Sequence, residues 1–541
     1  MQFLHGGELI ARQLAAQGVN AIYGLCGGHV APIFNSCANN GLAVIDVRHE
    51  QAAGHAADAH ARLTRNVGVA AVVAGPGVTD AVTAVANAYH ARSPLILIGG
   101  AAPLNTKGQG ALQEMPQVDM FRTFTKASFT IEKTAEIPAK LHDAFKLALN
   151  GRPGPVFIEV PLDILYGTLE EAVIFPKVVA EPVEPELSAM QRIFELLRAA
   201  QKPILIAGTQ VYWDAASDAL RDLTEQTGIP VFTNGGGRGT LPMTHPHCFK
   251  ASRSKALKEA DLVLLIGTPI DFRLRYGQGW NPQSKLIQIE NDPAELNHNR
   301  QADVALIADS RLVLEALGEG LQGIRYDNWL QTVTGIEAKK RAEQAVWEAF
   351  DDAPVNHFRM GAEINRFIDA DTIIIGDGGD IVSAVAKVVD VSRPGQWLDP
   401  GPLGCLGVGA PFALAAQFLH PDKKVLIING DGSFGFNGFE FDTAVRFNLP
   451  IVSIVGNDAA WGQIRNPTKT MLGQAAGTKL AQTRYDQLVV ALGGYGELVE
   501  DAGDIGPALA RAFASGQPAC INVLLDPDGL SKTNASTPYI V

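Results

Sequence analysis

Residues 429–462, which read NGDGSFGFNGFEFDTAVRFNLPIVSIVGNDAAWG, decide the fold predicted for this chain. One apolar run, at residues 425–428, leads into this stretch, and a second lies at residues 449–455. Between the two runs, the pattern predicts a glycine turn and then a helix at about residues 437–447. Strand, turn, helix and strand form a βαβ unit, whose right-handed crossover places both strands in one parallel sheet.

Two aspartates, Asp431 and Asp458, each follow one of the predicted strands. Because the carboxyl ends of parallel strands lie at the same edge of a sheet, we expect the two carboxylates to lie close together. Carboxylates suit a hard cation such as Mg²⁺, and the backbone amides of Gly432 and Ser433 beside a helix N-terminus suit phosphate oxygens. The stretch therefore predicts a site for a diphosphate and a metal ion, although a Gly-Asp-Gly turn alone is also common in α/β proteins.

The composition indicates a protein of several domains. The chain has 541 residues, enough for roughly three domains of ordinary size. Acidic residues outnumber basic ones, 57 against 44, for a formal net charge of −13, and this balance disfavours nucleic acid as a partner. The five cysteines lack CxxC spacing, so neither a disulfide framework nor a zinc site is indicated. Without a signal-peptide pattern or a long apolar run, we expect a cytoplasmic protein with no membrane partner.

Short apolar runs alternate with helical patterns along the chain, which is typical of doubly wound parallel sheets. The first unit is predicted at residues 1–165, and a central unit is predicted at residues 188–325 after a proline-rich linker. The third unit is predicted at residues 355–541, including a polar C-terminal tail. The predicted fold class is therefore α/β, with three doubly wound parallel-sheet domains.

The stretch 429–462 resembles the thiamin-diphosphate motif of a superfamily of decarboxylases, acetohydroxyacid synthases and 2-hydroxyacyl-CoA lyases. That motif begins with Gly-Asp-Gly and ends in two asparagines, whereas this chain ends it with Asn457 and Asp458. The resemblance implies thiamin diphosphate and Mg²⁺ as cofactors, and a pyrimidine-binding, a central and a diphosphate-binding domain in that order. The implied metal ligands are the side chains of Asp431 and Asp458 and the carbonyl of Ala460. We expect metal binding to persist with altered affinity, because an aspartate also suits a hard cation.

Glu50 lies in the segment VRHEQAAGH, where a predicted strand at residues 42–47 gives way to a helix. From this segment alone, the simpler explanation is a carboxylate favoured by the N-terminal end of the helix dipole. In the thiamin-diphosphate family, an RHE-like segment supplies the glutamate that hydrogen-bonds the aminopyrimidine of the cofactor and promotes its reactive tautomer. The resemblance therefore implies that Glu50 is catalytic. It also implies a homodimer or homotetramer, because that glutamate and the diphosphate loop meet across a subunit interface.

Further residues match parts of the family's cofactor pocket. The segment PGPLGCLGVG resembles the one whose backbone contacts the pyrimidine and whose bulky apolar residue supports the bent cofactor. The match implies roles for Gly404 and Leu406, and the alternative for Leu406 is an ordinary packed leucine at a glycine turn. Asp380, in IGDGGDIVS, lies at a predicted strand end where the family contacts the diphosphate. The implied cofactor-binding residues are Glu50, Asp380, Gly404, Leu406, Gly432, Ser433, Asp458 and Ala460.

Three polar side chains are candidates for contact with substrate. His29 follows a glycine turn after the first predicted strand, and its imidazole could exchange a proton with a hydroxyl group near neutral pH, although it could also be an ordinary turn residue. The GGH segment around His29 resembles benzaldehyde lyase and one branch of 2-hydroxyacyl-CoA lyases. Gln113 and Glu114 lie in QEMPQV, which resembles an active-site loop of 2-hydroxyacyl-CoA lyases and oxalyl-CoA decarboxylases. These matches imply catalytic roles for all three residues.

The central unit carries polar residues after two predicted strands. Glu290 could accept hydrogen bonds from a ribose, and Arg273 could face a phosphate. In the family, this domain binds FAD in some members, ADP in others and nothing in the rest. The branch resemblance favours ADP, or the nucleotide part of CoA, over FAD, and an empty domain stays an alternative.

The resemblance implies a thiamin-diphosphate-dependent enzyme that acts on carbon–carbon bonds of a small acyl-CoA or aldehyde substrate. The preferred function is a lyase that cleaves a 2-hydroxyacyl-CoA to an aldehyde or ketone and formyl-CoA, or that runs the reverse condensation. The alternative is a carboligase similar to benzaldehyde lyase or acetolactate synthase, which acts on free aldehydes or 2-oxo acids. A non-catalytic scaffold is disfavoured because Glu50 and Asp431 are both present. An NAD-dependent enzyme is disfavoured because GDGSFG is not GxGxxG.

Overall fold

A computed structural model describes residues 4–351 and 353–532 of the chain. Most of the predicted C-terminal tail lies outside these residues. Three α/β units follow one another along the chain, and each contains a six-stranded sheet in which all strands are parallel. The predicted fold class is confirmed.

The first unit contains β1 (Leu4–His5), α1 (Gly6–Ala16), β2 (Ala21–Gly24), α2 (Ala31–Asn39), β3 (Ala43–Asp46), α3 (Glu50–Thr64), β4 (Gly68–Val72), α4 (Pro76–Asp80), α5 (Val82–Ala91), β5 (Leu95–Ala101), α6 (Gln117–Phe121), β6 (Ala127–Thr130), α7 (Ile137–Leu149), β7 (Val156–Pro161), α8 (Leu162–Tyr166) and β8 (Thr168–Leu169). Strand β8 returns to pair antiparallel with β1, so contacts of this unit continue past residue 165. The linker that follows is tied to α1, because the side chain of Gln17 donates hydrogen bonds to the carbonyls of Phe175 and Pro176.

The central unit contains α9 (Leu187–Ala199), β9 (Pro203–Ala207), α10 (Thr209–Trp213), α11 (Ser217–Thr227), β10 (Val231–Thr233), β11 (Cys248–Phe249), α12 (Arg253–Glu259), β12 (Leu262–Ile266), β13 (Lys285–Glu290), β14 (Val304–Ile307) and α13 (Ser310–Gly320). The long helix α14 (Asp327–Glu348) then leads to the third unit. The central sheet has the strand order β11-β10-β9-β12-β13-β14, which is the order of nucleotide-binding Rossmann sheets.

The third unit contains α15 (His357–Phe367), β15 (Ile373–Asp377), α16 (Asp380–Val388), β16 (Trp397–Leu398), α17 (Gly409–Leu419), β17 (Val425–Gly430), α18 (Asp431–Asn437), α19 (Glu440–Arg446), β18 (Val452–Asn457), α20 (Gly462–Leu472), α21 (Tyr485–Ala491), β19 (Tyr495–Val499), α22 (Ile505–Ala514), β20 (Ala519–Leu524) and α23 (Gly529–Lys532). Its sheet has the order β16-β15-β17-β18-β20-β19, and the first sheet has the order β3-β2-β4-β5-β7-β6. Counted along the chain, the two orders are the same, so the first and third units share one topology.

Helices α3 and α17 pack against each other and join the first unit to the third. The residues of α3 that face inward are small, and a Cβ atom at Gly54 would lie only 2.5 Å from the Cβ of Ala84. The ring of His55 contacts Phe412 on α17 edge to face, and the guanidinium of Arg62 lies over the same ring. The close packing of α3 therefore fixes where its first residue, Glu50, lies.

The helix after the glycine turn begins earlier than the sequence pattern predicts. It starts at Asp431 rather than near residue 437, and it is divided into α18 and α19. The reason lies in Ser433, whose hydroxyl accepts a hydrogen bond from Gly430 N–H (3.1 Å) and donates one to the carbonyl of Asp377 (2.6 Å). These two bonds close the first helical turn directly after β17.

A search of residues 4–351 and 353–532 for helices long and apolar enough to cross a membrane found none.

Candidate active site

Four aspartates lie at the carboxyl edge of the third sheet. Asp377 ends β15 and Asp380 begins the helix after it, whereas Asp431 follows β17 and Asp458 follows β18. Strands β15, β17 and β18 are neighbours in the sheet, and the chain reverses its direction of growth between β15 and β17. Open parallel sheets bind ligands at this kind of reversal point.

Three of these carboxylates have a buried oxygen without a partner. Oδ2 of Asp380, Asp431 and Asp458 is inaccessible to solvent and forms no hydrogen bond with the described residues. Burial raises the pKa of Asp431 to about 6, and burial together with the carboxylates of Asp380 and Asp431 raises the pKa of Asp458 to about 8. Buried carboxylates of this kind need a positive charge, so the residues present fit a divalent metal ion.

Backbone amides next to Asp431 and Asp458 already donate hydrogen bonds to these two carboxylates. Asp458 Oδ1 accepts a hydrogen bond from Ala460 N–H (3.1 Å), and the intervening Ala459 has a left-handed φ of 53°. Gly432 N–H donates to Asp431 Oδ1 (2.7 Å). This amide was predicted to bind a phosphate oxygen, but in the present conformation the neighbouring carboxylate occupies it.

Asp377 orders the loop that carries Gly404 and Leu406. Its carboxylate accepts hydrogen bonds from the N–H groups of Gly407 (3.0 Å) and Gly409 (2.8 Å), and burial raises its pKa to about 6. Leu406 is only half-buried, unlike an ordinary core leucine, and Gly404 is exposed with a φ of 69°. Asp377 was not among the predicted site residues, although it lies three residues before Asp380 in the same IGDGGD segment.

Glu50 is the first residue of α3 and is 7% exposed. Its Oε1 lies over Gly77, where a Cβ atom would come within 3.1 Å of it. The turn before Glu50 is held by Glu440, whose carboxylate accepts a hydrogen bond from Arg48 N–H (2.9 Å) and has its pKa raised to about 7 by burial. The sequence pattern did not indicate Glu440, since it lies 392 residues from Arg48.

His29 lies at the carboxyl edge of the first sheet. It follows β2 and packs on β5, where a Cβ atom at Gly100 would lie 2.5 Å from the Cβ of His29. Its Nδ1 is buried and has no hydrogen-bond partner among the described residues. Burial lowers the pKa of His29, so its imidazole is neutral at pH 7 and can accept a proton.

The side chains of Gln113 and Glu114 have different contacts. Gln113 has a left-handed φ of 63° and packs on Gly75, where a Cβ atom would lie 2.9 Å from that of Gln113. The carboxylate of Glu114 instead accepts N–H groups of its own loop, Gly108, Gly110 and Ala111. The bond from Gly108 holds the pKa of Glu114 below its ordinary value. The carboxylate of Glu114 thus orders the loop, and its catalytic role stays a prediction.

Gln117 is a further residue that the sequence analysis missed. Its fully buried amide accepts a hydrogen bond from Gly75 N–H (2.8 Å) and donates to Gly100 O (3.0 Å) and Glu159 Oε2 (2.8 Å). It thus joins the backbone of the segment after β4 to the end of β5. The QEMPQV segment contains this residue, but nothing in the pattern distinguishes it from Gln113.

The predicted site residues form two groups in the described chain. Asp380, Asp431 and Asp458 lie together at the edge of the third sheet, whereas Glu50 and His29 lie at the edge of the first. Within residues 4–351 and 353–532, no hydrogen bond or ion pair joins Glu50 to any of these aspartates.

A cavity of about 350 Å³ lies where the central unit meets the other two. Arg273, a candidate for contact with a phosphate, lines it, and its guanidinium is bonded to Asp271. Glu290, which was predicted to bind a ribose, is fully buried and paired with Arg92 of the first unit (2.8 Å). The ribose role of Glu290 is therefore wrong, because a buried ion pair already uses its carboxylate.

We expect the binding of Mg²⁺ to release about one proton per chain at pH 7. With a pKa of about 8, Asp458 is mostly protonated before the metal binds, and it must ionise to become a ligand. Affinity for Mg²⁺ should therefore rise with pH up to about 8. Titration calorimetry in buffers of different ionisation enthalpy measures the proton count. The Asp458→Asn variant should release far less, and a wild-type enthalpy independent of the buffer would contradict the expectation.

Family models match the chain in three segments. Residues 4–120 match the N-terminal thiamine pyrophosphate (thiamin diphosphate) binding domain of thiamine pyrophosphate enzymes, residues 190–317 match the central domain, and residues 377–523 match the C-terminal thiamine pyrophosphate binding domain.

Several characterised proteins are similar over nearly the whole chain. The acetolactate synthase large subunit IlvG of Mycobacterium tuberculosis is 38% identical over 97% of this chain and 96% of its own. The 2-hydroxyacyl-CoA lyase 2 of Caenorhabditis elegans is 37% identical over 96% of this chain and 89% of its own. The human 2-hydroxyacyl-CoA lyase 2 is 36% identical over 96% of this chain and 90% of its own.

Proposed function

Because the chain belongs to the thiamine pyrophosphate enzyme family, we propose that it is a carbon–carbon lyase for 2-hydroxyacyl-CoA. It would cleave this thioester to an aldehyde or ketone and formyl-CoA, or join the two in the reverse reaction. Relatives named 2-hydroxyacyl-CoA lyase 2 support the assignment over almost the full length.

The observation that carries the proposal is the buried, unpartnered imidazole of His29. Cleavage beside a hydroxyl-bearing carbon requires that the hydroxyl proton leave as that carbon becomes a carbonyl. A neutral imidazole at the edge of the first sheet can accept this proton, and it can return it to the carbonyl oxygen in the reverse reaction. Cleavage of a 2-hydroxyacyl-CoA needs such a base for its 2-hydroxyl proton, whereas the decarboxylation of a 2-oxo acid removes no hydroxyl proton.

Other residues would prepare the site for this step. Thiamin diphosphate, when bound, supplies the nucleophilic carbon and the electron sink for carbon–carbon cleavage. Glu50 would hydrogen-bond the aminopyrimidine, and Leu406 with the backbone of Gly404 would support the ring. The half-buried Gln113 would order substrate beside His29. These roles rest on the family resemblance, and the position of each residue at a sheet edge or on a loop is compatible with its role.

Mg²⁺ would be held by the carboxylates of Asp431 and Asp458 and by the carbonyl of Ala460. The two unpartnered Oδ2 atoms support this choice, and oxygen ligands suit a hard cation. The metal would neutralise the buried carboxylates and the diphosphate together.

For the central cavity, we propose ADP or the nucleotide part of CoA as the ligand. The cavity lies at the reversal point of the central sheet, between the segments after β9 and β12. Arg62, Arg92, Arg152 and Arg273 line it, and a phosphate group would share them with the carboxylates to which they are paired. The rings of Tyr212 and Trp213 could pack on a base.

We also propose that the active protein is a homodimer or homotetramer, with each site formed between two chains. Apolar side chains near the site loops are exposed in the single chain, namely Leu112, Leu403, Phe436, Phe439 and Ile464. Large apolar side chains that are exposed at the loops of a site would be covered by a partner chain at a protein–protein interface. A partner chain could bring its own Glu50 to the aspartates of the third sheet.

Condensation of formyl-CoA with aldehydes tests the substrate class. Purified protein with thiamin diphosphate, Mg²⁺ and formyl-CoA should convert a panel of aldehydes to 2-hydroxyacyl-CoA, as detected by mass spectrometry. The His29→Gln variant should be slower by about 10²–10⁴-fold, since it lacks the proton-transfer group. Turnover of only free aldehydes or pyruvate would contradict the CoA substrate and favour the acetolactate synthase reaction, to which the identity with the mycobacterial enzyme points.

A further inference from the structure

A second group of potential metal ligands includes Asp458, one of the two aspartates assigned to Mg²⁺. His357, the first residue of α15, lies beside Asp380 and Asp458, and one ligand atom from each residue lies within 4.8 Å of the other two. The three side chains come from the starts of two helices and the segment after β18. Their positions therefore depend on the packing of the third unit rather than on one flexible loop.

The imidazole of His357 is buried and aimed at the carboxylates without a hydrogen bond to them. The residue is 2% exposed, and its Nε2 lies 4.0 Å from Asp380 Oδ2, which is too long for a hydrogen bond. Its Nδ1 is also buried without a partner among the described residues. A buried imidazole nitrogen without a partner is costly, and a cation between the imidazole and the two carboxylates would account for their placement together.

The space between the two carboxylates is kept open by Gly462. A Cβ atom at this position would lie 2.1 Å from Asp380 Oδ2 and 2.7 Å from Asp458 Oδ2. In residues 4–351 and 353–532, no lysine or arginine forms an ion pair with either carboxylate. Arg465 lies nearby, but its guanidinium donates to Asn466, Asp528 and the carbonyl of Pro527.

We propose that His357, Asp380 and Asp458 bind a second divalent cation, beside the one assigned to Asp431, Asp458 and Ala460. The carboxylate of Asp458 would be shared by both cations, as in two-metal sites, where a negatively charged ligand bridges the ions. An asparagine amide at this position could serve the first cation but would bring no charge for the second. The second cation would therefore explain why this chain has Asp458 where the family motif has asparagine.

The donor set selects the kind of metal. Imidazole nitrogen suits transition-metal ions such as Zn²⁺, Fe²⁺ and Ni²⁺, whereas Mg²⁺ prefers oxygen ligands. The second cation is therefore a transition-metal ion. It also lets Asp380 contact a diphosphate, because a cation between two negative groups replaces their repulsion with attraction.

Mn²⁺ titration followed by electron paramagnetic resonance tests the proposal on the full chain, first freed of metal and then supplied with thiamin diphosphate. The wild type should bind two Mn²⁺ per chain, and excess Mg²⁺ should displace only one. His357→Gln and Asp380→Asn should each bind one Mn²⁺, which Mg²⁺ displaces. The retained Mn²⁺ of the wild type should show spin-echo modulation from an imidazole nitrogen, and His357→Gln should lose it.

His420→Gln is the matched control, since His420 follows α17 at the opposite edge of the same sheet, and it should bind two Mn²⁺. Binding of a single Mn²⁺ by the wild type, or of two by both His357→Gln and Asp380→Asn, would overturn the proposal. The second variant guards against a folding defect in the first. The result does not depend on the proposed reaction, because the count of bound metal requires no turnover, and failure with CoA substrates would leave the count unchanged.

Discussion

The Glu50→Gln variant should lose nearly all turnover, by at least about 10²–10⁴-fold in kcat, while it still binds thiamin diphosphate and Mg²⁺. Glutamine keeps the size of the side chain but cannot share a proton with the aminopyrimidine. The carboxylate is buried over Gly77 in a turn that Glu440 holds, so the substitution leaves its surroundings in place. Steady-state kinetics give the loss of turnover, and cofactor titration gives the binding constant.

Glu50→Gln should fold as the wild type does, with only a small loss of stability. Loss of the Glu50 charge at the start of α3 should cost about 0.3–1 kcal/mol through the helix dipole. Asp218→Asn, in the first turn of α11 on the exposed surface of the central unit, removes a comparable charge and should keep full activity. If Glu50→Gln retained turnover within about tenfold of the wild type, its assigned role in cofactor activation would be wrong.

The second large effect is expected from Asp431→Asn, which should weaken Mg²⁺ and thiamin diphosphate binding by more than about 10–100-fold, the loss usual for outer-shell partners of a metal. The variant removes a charge that the cation neutralises. It should not unfold the protein, because burial raises the pKa of Asp431 to about 6 and the metal-free native state must hold this carboxylate ionised at pH 7. An amide of the same shape avoids that cost.

Thermal unfolding separates these two effects. At pH 7 the metal-free variant should melt at the wild-type temperature or above it, whereas the rise in Tm produced by Mg²⁺ and thiamin diphosphate should disappear. Asp371→Asn, in the exposed segment before β15 at the opposite edge of the sheet, should keep that rise. A full ligand-induced rise in Asp431→Asn would show that Asp431 is not a metal ligand.

Coexpression of Glu50→Gln and Asp431→Asn tests whether the sites form between chains. If Glu50 of one chain serves the aspartates of another, random pairing in a twofold dimer restores about one quarter of the sites. If each site belongs to one chain, the mixed protein should be as inactive as either variant. The activity of the whole coexpressed preparation, measured against both parent variants, distinguishes the two arrangements.

The sheets were predictable because their strands are apolar runs that alternate with helical patterns. The order of strands and the exact ends of elements were not. The helix after Gly430 starts at Asp431 because the hydroxyl of Ser433 bonds the backbone of both Gly430 and Asp377. The second of these bonds joins residues 56 positions apart, and a local pattern carries no signal for it.

The candidate site was predictable where a residue follows a strand end. Asp380, Asp431 and Asp458 were found in this way, and the structure places all three at one sheet edge. Residues that act through distant contacts were missed. Glu440 bonds the turn before Glu50 across 392 positions, and His357 has no motif around it.

One prediction failed because the partner of a side chain was unknown. Glu290 was expected to meet a ribose, yet Arg92 pairs with it across 198 positions. The catalytic role of Glu114 stays a prediction, and in this chain its carboxylate bonds backbone amides of its own loop. A carboxylate at a strand end or in a glycine-rich loop can therefore be assigned to a ligand only when its hydrogen bonds within the chain are known.

Cleavage of a synthetic 2-hydroxyacyl-CoA tests the central claim most directly. With thiamin diphosphate and Mg²⁺, the wild-type protein should release aldehyde and formyl-CoA in equal amounts, as followed by mass spectrometry, and Glu50→Gln should release neither. The absence of both products from the wild type, under conditions in which the same preparation converts pyruvate to acetolactate, would contradict the claim.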